Sequence, residues 1–476
     1  MSLLVVAALA RREGWDTLII DEDYEPIPAE RPDLAAITVW TGAAPRSYEI
    51  AGRYRARGVP VVLGGVHASL LPSEAGRHAD AVVGGEAELV LGTVLDDALH
   101  GRLKPYYYGP WAGMENVPMV DELIGSYEQI PFGRYRPMHS LQSTRGCRFA
   151  CDFCSVIRIN GRGTRHADVS RVVEDLRFRT QMKPRMPGPT FAFFVDDDLA
   201  ADLEYAGELF EAIASSGLDV NWVAQASIGF FRHRELVELA ARSGCRSIFS
   251  GIESVSRRSL VEANKKNRPD EYRELFESAH ANGIAVEGTF IFGFDHDGPE
   301  CFDETVEVLD DIGIDLANFF VLTPLPGTHT FARLYEEGRI DDFYWGHYDS
   351  YTPVFKPARM SKSELQEGVY RPFRKFYSRS LTRGRLRRQL GRRRLHVSAT
   401  YWMINHTYRA MYLEPPTRES RGQPSFTPDP ADIEALLPTS RAEPQDAIKV
   451  AAGAVGGVDP TGFEVTDPVA TPTQSA

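Results

Sequence analysis

Short apolar runs alternate with amphipathic stretches along the first hundred residues. Four of the runs end in glycine or a polar residue, as buried parallel strands do: Asp16–Asp21, Asp33–Trp40, Pro60–Gly65 and Asp80–Gly85. Helical periodicity lies between or after them, at Tyr48–Arg57 and Glu86–Leu99. Residues 1–13 predict a first helix, whereas a complete fold of this type begins one strand earlier. We therefore expect residues 1–100 to form a doubly wound α/β domain whose first strand is missing.

A second series of strand and helix patterns runs from residue 139 to residue 345. Strands are predicted near 140–146, 191–197, 221–227, 247–253, 286–294 and 318–325. Helices are predicted between them, near 168–182, 202–216, 233–243, 270–282 and 299–311. Six such units predict a partial, open-sided parallel barrel. In barrels of this type the chemistry lies on loops at the carboxyl ends of the strands.

The remaining segments are assigned from composition. Residues 101–138 hold five prolines among several tyrosines, which indicates an ordered linker rather than a domain. Residues 346–420 predict a mainly helical region. Residues 421–476 are rich in Pro, Ala, Thr, Gly and Asp with little periodicity, so we expect a disordered tail.

Charge and apolar content exclude several classes of protein. The chain carries 53 Lys and Arg against 66 Asp and Glu, a net charge of −13. This charge excludes a protein that coats nucleic acid through a generally basic surface. No apolar run reaches the roughly 18–20 residues of a membrane span. The apolar opening, Met1–Leu9, precedes its arginines, the reverse of the order in a secretory signal. Five cysteines in 476 residues are too few for a disulfide scaffold, which predicts a reducing cytoplasm.

One segment departs from the acidic average. Residues 371–394 contain ten Arg and one Lys. This stretch is suited to peripheral contact with an anionic membrane, to a phosphorylated substrate or to nucleic acid. The alternative is a solvated helix face that balances an acidic protein.

Three of the five cysteines crowd into eight positions at the end of the first barrel strand. Cys147, Cys151 and Cys154 form the sequence CRFACDFC. Three thiolates at this spacing can bind three corners of a cubic iron–sulfur cluster, which a fourth cysteine would normally complete. Zinc is the rival, but structural zinc prefers four ligands in paired spacings. A site that is one ligand short suits a substrate. The remaining alternative is three unrelated core cysteines.

The CxxxCxxC spacing, with Phe153 before its last cysteine, resembles the radical S-adenosylmethionine (SAM) superfamily over residues 139–340. The resemblance implies a 4Fe-4S cluster held by the three cysteines, whose unique iron binds the amine and carboxylate of SAM. It also implies that an electron from the cluster breaks the bond between sulfur and C5′. The resulting 5′-deoxyadenosyl radical then abstracts a substrate hydrogen inside a barrel that excludes water.

Two strand ends carry acidic residues that match this family. Asp196 and Asp197, in VDDD, end the second barrel strand, where the resemblance implies groups near the SAM amine. A helix N-cap is the alternative for either aspartate. Glu253, in GIES, ends the fourth strand, where the resemblance implies a glutamate on the ribose hydroxyls. A solvated acid at a helix start is the alternative.

Further strand ends carry small or neutral polar residues. Gly288 and Gly293, in GTFIFGF, resemble the fifth-strand motif of the family, whose glycines let the adenine of SAM approach the backbone. Gln225 and Ser227 end the third strand and are predicted to face the cavity. Together with Phe153, these residues complete the predicted SAM site.

The first domain resembles the cobalamin-binding domain found before such barrels. The matching stretches are TVWTGA, GGVHAS and VVGGEAE, each of which follows a predicted strand. The candidate cobalamin-binding residues are Thr38, Thr41, Gly64, Gly65, His67, Gly84, Gly85 and Glu86. The DxHxxG motif, whose histidine ligates cobalt in that family, is absent, so we predict bound cobalamin with no histidine on cobalt. His67 is not expected to be that ligand.

Together the two resemblances predict a cobalamin-dependent radical SAM methyltransferase that methylates an unactivated carbon of a small-molecule or lipid substrate. Flavodoxin or ferredoxin is the expected reductant. Three alternatives stay open: radical cyclisation, rearrangement or oxidation without methyl transfer; a barrel-only radical enzyme with a vestigial first domain; and a non-catalytic corrinoid-binding protein. The cysteine motif argues against the last, because a carrier needs no cluster.

Overall fold

Two parallel sheets, one in each predicted domain, organise the chain. The computed structural model describes residues 2–22, 25–119, 121–123, 139–181, 190–391, 405–406, 426–443, 446–453 and 455. Strands alternate with helices in both sheets, and every strand pair within them is parallel. The α/β fold class is therefore confirmed.

The first sheet has the order β1-β2-β3-β4. Its strands are β1 (Ala35–Thr38), β2 (Val61–Gly64), β3 (Ala81–Gly85) and β4 (Tyr106–Gly109). Its helices are α1 (Ser2–Arg12), α2 (Ala44–Ala56), α3 (Val66–Leu70), α4 (Pro72–His78) and α5 (Leu91–Leu99). The predicted first helix and three of the four predicted strands are present.

Two expectations for this half are wrong. Residues 16–21 form no strand: β1 is the edge of the sheet and Leu18 is 65% exposed, so the apolar run is not buried as its pattern predicted. Conversely, β4 lies inside the expected linker and pairs with β3. Its proline-flanked tyrosines suit an edge strand, where proline outside the ladder removes no hydrogen bond. The later part of that linker, 124–138, lies outside the described residues.

The second sheet is a six-stranded partial barrel with the order β12-β11-β10-β9-β8-β5. Its strands are β5 (His139–Leu141), β8 (Thr190–Phe194), β9 (Val220–Gln225), β10 (Cys245–Glu253), β11 (Ala285–Phe292) and β12 (Leu316–Val321). A short antiparallel pair, β6 (Thr144–Arg145) and β7 (Arg165–His166), follows β5. The helices of this half are α6 (Val156–Asn160), α7 (Val169–Gln181), α8 (Leu203–Ser215), α9 (Arg234–Arg242), α10 (Arg257–Glu262), α11 (Tyr272–Ala281), α12 (Cys301–Ile312) and α13 (His329–Glu336).

Side chains alternate between the two faces of the barrel sheet. On the outer face, buried aromatic residues meet the helices: Trp222 stacks on Phe210 of α8, and Phe292 packs on Phe302 of α12. The alternate side chains are half-buried and point to the inner side, because successive residues of a strand face opposite ways. They include Phe191, Phe193, Phe249, Ile291 and Phe320. The inner side of the barrel is therefore rich in aromatic surface.

The C-terminal part adds helices to both domains. They are α14 (Lys362–Gly368), α15 (Tyr370–Phe376), α16 (Arg379–Gly391), α17 (Pro430–Arg441) and α18 (Ala447–Ala452). The expected disorder of residues 421–476 is wrong for α17 and α18, which bury Leu436 and Ile448. The composition of this segment did not predict these two short helices, which are stabilised by tertiary contacts. Residues 392–404, 407–425 and 456–476 lie outside the described ones.

The two final helices bridge the domains. Helix α18 packs against α3, β3 and β4 of the first domain and against α6 of the barrel. The guanidinium of Arg158 on α6 donates to the carbonyls of Ser440, at 2.9 Å, and Ala442. Asp432 of α17 pairs with Arg77 of α4. The C-terminal segment therefore closes over the junction of the first domain and the barrel.

The basic stretch 371–394 falls on α15 and α16 where the structure describes it. Lys375 lies 3.2 Å from Asp303 and 3.3 Å from Glu307 of α12, and Arg385 is buried over the ring of Phe376. Part of the stretch therefore pairs with the protein's own acids and aromatic rings. Within the described ranges, no helix combines the length and apolarity needed to cross a bilayer.

Candidate active site

The three clustered cysteines lie on the loop between β6 and α6. Cys151 is buried and Cys147 and Cys154 are half-buried, and all five cysteines of the chain are free thiols. Burial raises the pKa of Cys147 to about 11 and that of Cys154 to about 12, and the charge of Cys151 adds to both effects. No three His, Cys, Asp or Glu side chains of the described chain converge on a single metal ion. The pKa values nevertheless show that the three thiols on this loop are close enough to interact electrostatically.

Two aspartates, the buried Asp196 and the half-buried Asp197, hold the start of this loop. Asp196 accepts hydrogen bonds from the amides of Ser143 and Thr144 and from the Ser143 hydroxyl. Burial raises the pKa of Asp196 to about 6 against these bonds. Asp197 accepts from the Gly146 amide at 2.9 Å, directly before the first cysteine. The structure therefore brings both residues to the base of the cluster loop, where they position it, rather than presenting free carboxylates to a ligand amine.

The next carboxylate of that motif, Asp198, faces the end of the neighbouring strand. One of its oxygens accepts from the Ser227 amide at 3.0 Å, and burial raises the pKa of this carboxyl. Ser227 is half-buried, whereas Gln225 is exposed and its carbonyl accepts from Leu199. Sequence analysis did not select Asp198, although it stands beside the two aspartates that were selected.

Glu253 and Lys265 form an ion pair beside the thiols. The ammonium of Lys265 lies 3.0 Å from the Glu253 carboxylate, and their side chains are 15% and 8% exposed. Glu253 adopts a left-handed backbone (φ +67°) after an irregular register in β10, which turns its side chain out of the strand pattern. Burial opposes the charge on Lys265, but Glu253, Cys151 and Cys154 raise its pKa above the usual value. Lys265 was missed because the polar sequence around it resembles a solvated turn.

The aromatic and glycine positions line the same region. The rings of Phe153 and Phe294 meet edge to face at 6.5 Å. A Cβ on Gly288 would lie 2.6 Å from Ile252, and Gly293 has a left-handed backbone (φ +108°). Gly293, just after β11, therefore requires glycine for its backbone, and a side chain on Gly288, in the middle of β11, would displace Ile252.

The carboxyl edge of the first sheet is shaped by glycines. Gly65 has φ +94°, and a Cβ there would lie 2.8 Å from the Val39 carbonyl and 2.9 Å from the Thr38 hydroxyl. A Cβ on Gly85 would lie 2.1 Å from the Gly109 carbonyl. Neighbouring strand ends thus approach one another through bare backbone.

The other candidate residues of this edge differ in exposure. A Cβ on Gly84 would overlap the Tyr106 ring, whereas one on Gly64 would make ordinary contacts. Thr38 is exposed and Thr41 is buried. Trp40, which stands between them, is 51% exposed. The edge therefore offers backbone and an open indole rather than a cluster of charges.

His67 is fully buried behind this edge. Its Nε2 lies 3.0 Å from Glu74 and 3.1 Å from the Tyr48 hydroxyl, and Trp345 also donates to Glu74. Burial opposes ionisation of Glu74, but hydrogen bonds from His67, Trp345 and Tyr48 lower its pKa. Nδ1 of His67 has no hydrogen-bond partner. The ring is thus held through Nε2, and Nδ1 is a buried acceptor or donor still to be satisfied.

Glu86 has a different environment from its expected one. Its carboxylate is bound by Arg165, at 2.8 Å, and accepts from the Ala112 amide at 2.7 Å. Ala112 lies in the segment after β4, and Arg165 lies on β7 of the barrel. Glu86 therefore joins the first domain to the barrel instead of opening toward a ligand.

Known proteins match both halves of the chain. Residues 141–309 match the radical SAM superfamily, and residues 1–95 match the B12 binding domain. The bacteriochlorophyllide d C-12(1)-methyltransferase of Chlorobaculum tepidum is 31% identical over 80% of this chain and 83% of its own length. The chain belongs to the cobalamin-dependent radical SAM methyltransferases. The bacteriochlorophyllide d C-8(2)-methyltransferase of the same organism is 28% identical over 76% of this chain and 80% of its own length.

The fold of the present chain is also found in a solved structure. The radical SAM methyltransferase TsrM from Kitasatospora setae, with cobalamin and a [4Fe-4S] cluster bound, aligns with a TM-score of 0.57 at 16% identity. The alignment covers 77% of this chain and 81% of TsrM. The two domain matches and the bacteriochlorophyllide methyltransferases confirm the predicted family and cofactor set (a 4Fe-4S cluster, SAM and cobalamin), and the TsrM alignment confirms the fold class.

The residues present fit these groups. Three neighbouring thiols are the donor set of a site-differentiated iron–sulfur cluster. The buried Lys265 and Glu253 beside them offer one charge of each sign. The glycine-rich edge, with bare backbone at Gly65 and Gly85 and the exposed indole of Trp40, is the uncharged, partly aromatic kind of surface that suits a large planar ring.

Proposed function

We propose that this enzyme methylates a carbon of a cyclic tetrapyrrole. The aromatic inner side of the barrel is the observation that carries the proposal, because a large planar ring system binds well on offset aromatic side chains. Phe193, Phe249 and Phe320 supply this surface from three strands. Both relatives described above act on bacteriochlorophyllide d, which has such a ring.

In this proposal Cys147, Cys151 and Cys154 hold the cluster. The reduced cluster, when bound, supplies the electron that cleaves SAM, and cobalamin supplies the methyl group. Lys265 faces the carboxylate of SAM, since it is a largely buried cation that interacts electrostatically with Cys151 and Cys154. Glu253 fixes Lys265 and accepts from the ribose hydroxyls.

Further residues complete the two proposed cofactor sites. Phe153, Ser227, Gly288 and Gly293 border SAM, with Gln225 at the open end. Thr38, Thr41, Gly64, Gly65, Gly84 and Gly85 border cobalamin. His67 stays away from cobalt, because its ring is fully buried behind the sheet edge and its Nε2 is held by Glu74 and Tyr48.

The proposal needs an electron source and a reducing compartment. Five free thiols are compatible with the cytoplasm. A flavodoxin or ferredoxin is the proposed reductant, because the cluster must be recharged by single electrons.

The test uses the full-length protein, reconstituted without oxygen with iron, sulfide and hydroxocobalamin. Incubation with SAM, reductant and bacteriochlorophyllide d is expected to give a product heavier by one CH₂, together with S-adenosylhomocysteine and 5′-deoxyadenosine. Cys154→Ala is the matched control and should give none of the three.

Other outcomes would contradict parts of the proposal. A cyclised or oxidised pigment without S-adenosylhomocysteine would favour radical chemistry without methyl transfer. Methylation of a lipid extract, but of no tetrapyrrole, would overturn the substrate class and leave methyl transfer intact.

A further inference from the structure

Two acidic residues of the first domain meet two arginines of the barrel in a buried contact. Glu86 and Glu88 lie on the loop after β3, Arg145 is two residues before Cys147 on β6, and Arg165 is on β7. Arg145 lies 2.6 Å from Glu88 and 3.3 Å from Glu86. Arg165 binds Glu86 through both of its terminal nitrogens. The four side chains, here called the charge bridge, are only 4–11% exposed.

The charge bridge is continuous with the cluster loop. Arg165 donates to the backbone carbonyl of Asn160 at 3.2 Å, and the side-chain Nδ2 of Asn160 donates to Asp197 at 2.9 Å. Asp197 in turn accepts from the Gly146 amide, next to Cys147. A chain of hydrogen bonds therefore runs from the loop after β3 to the first cysteine.

The connecting segment is tied into the same contact. The Ala112 amide donates to Glu86, and its carbonyl accepts from Arg165. Trp111 covers the Arg165 guanidinium, 5.8 Å from its ring centre, and donates to the Ile159 carbonyl at 2.8 Å. The bridge is thus shielded from water by the chain that links the two domains.

Stability alone does not account for this arrangement. Buried ion pairs often stabilise a protein no better than well-packed apolar residues of the same volume, because each charge loses its hydration. What such a pair imposes is direction: a guanidinium and a carboxylate meet in a narrow range of geometries. Each charged group of the bridge has a partner of opposite charge within 3.3 Å.

We infer that the charge bridge sets the distance and orientation between the cobalamin edge of the first domain and the cluster loop of the barrel. Glu86, Glu88, Arg145 and Arg165 are positioning residues: they touch neither cofactor and act through the two loops that do. Methyl transfer requires that both cofactors reach one substrate carbon, so a small error in their spacing uncouples SAM cleavage from methylation. The inference rests on the proposed function only for its product readout.

The first experiment measures the spacing without any substrate. In reconstituted full-length protein, cob(II)alamin and the reduced cluster are both paramagnetic, and pulsed electron paramagnetic resonance gives the distance distribution between them. Wild type should give one narrow distance. Arg145→Glu, which brings like charges together, should broaden it, and the exchange Arg145→Glu with Glu88→Arg should restore it. Arg234→Glu, at an exposed pair on the outside of the barrel, is the matched control.

The second readout is the coupling of SAM cleavage to methylation. With a methyl acceptor, Arg145→Glu should form about 100-fold less methylated product per 5′-deoxyadenosine, the loss expected for misplacement by about 1 Å. The exchanged pair should recover most of it. A failed substrate proposal would remove methylation from wild type as well, but would leave the distance measurement unaffected.

Three results would overturn the inference. One is an unchanged narrow distance in Arg145→Glu with both cofactors bound. Another is a loss of cobalamin or of folding in Arg145→Glu that the exchange does not reverse. The third applies to Glu88→Gln, which keeps shape and removes one charge: a distribution as narrow as that of wild type would show that the charges do not set the spacing.

Discussion

The cysteine loop between β6 and α6 (the cluster loop) and the carboxyl edge of the first sheet, which are the two proposed cofactor sites, are built in opposite ways. At the cluster loop the functional groups are side chains: three thiols, with Glu253 and Lys265 paired beside them. At the edge of the first sheet the key positions have no side chain, because a Cβ at Gly65 or Gly85 would clash with neighbouring backbone. One region is therefore sensitive to the removal of side-chain atoms, and the other to their addition.

Both regions are stabilised by carboxylates that accept several hydrogen bonds, of which Asp196 and Glu74 are buried. Asp196 and Asp197 hold the start of the cluster loop through backbone amides. Glu74 holds His67, Tyr48 and Trp345 behind the first sheet. A buried carboxylate that accepts several hydrogen bonds fixes backbone geometry more firmly than an exposed one, since no water competes for it. In both regions these carboxylates position the backbone or side chains next to the proposed cofactor contacts.

The largest effect is expected when the cluster loop loses a thiol. Cys147→Ala, Cys151→Ala and Cys154→Ala should each abolish the binding of about four iron and four sulfide, because a cubic cluster with only two protein ligands is not retained. Iron and sulfide analysis, with absorbance spectroscopy of anoxic protein, measures this directly. Cobalamin binding should survive in all three variants, because its site is built on the other sheet.

The remaining cysteines supply the control. Cys245 is buried in β10 and Cys301 begins α12. Replacing either by Ala should leave the cluster in place. A normal cluster in the protein that lacks Cys147, Cys151 and Cys154 would refute the assignment.

The contrast between the regions also explains what the sequence could predict. Three cysteines within eight residues have few uses, so their spacing, with the family resemblance, predicted a cluster site, and that they hold the cluster stays a prediction. The parallel strands followed from short apolar runs ending in glycine. Lys265, Arg145 and Arg165 were missed, because a lone basic residue looks solvated until the fold places a carboxylate beside it. Helices α17 and α18 were missed for a related reason: their sequences have little periodicity, and contacts with distant segments stabilise them.

A smaller effect is expected at the ion pair beside the thiols. Glu253→Ala should weaken SAM binding by about 1–3 kcal/mol, because a hydrogen bond to a buried carboxylate is lost and Lys265 is left without its partner. Calorimetry on the cluster-loaded protein measures the affinity, and the cluster itself should remain. Glu277→Ala, on an exposed position of α11, should change neither. Unchanged SAM affinity in Glu253→Ala would return Glu253 to a purely structural role.

The smallest effect, and the most specific to the first sheet, is expected from a single added methyl group. Gly65→Ala places a Cβ 2.8 Å from the Val39 carbonyl, whereas Gly217→Ala, also at a left-handed position (φ +69°), meets no atom within 4 Å. Both variants should lose about 1–2 kcal/mol of unfolding free energy from backbone strain. Only Gly65→Ala must also move the ends of β1 and β2 apart, so it alone should weaken cobalamin binding, by about tenfold or about 1.4 kcal/mol. Titration with hydroxocobalamin, followed by absorbance, gives this difference. Equal affinities in the two variants would mean that the strand-end backbone does not shape the cobalamin site.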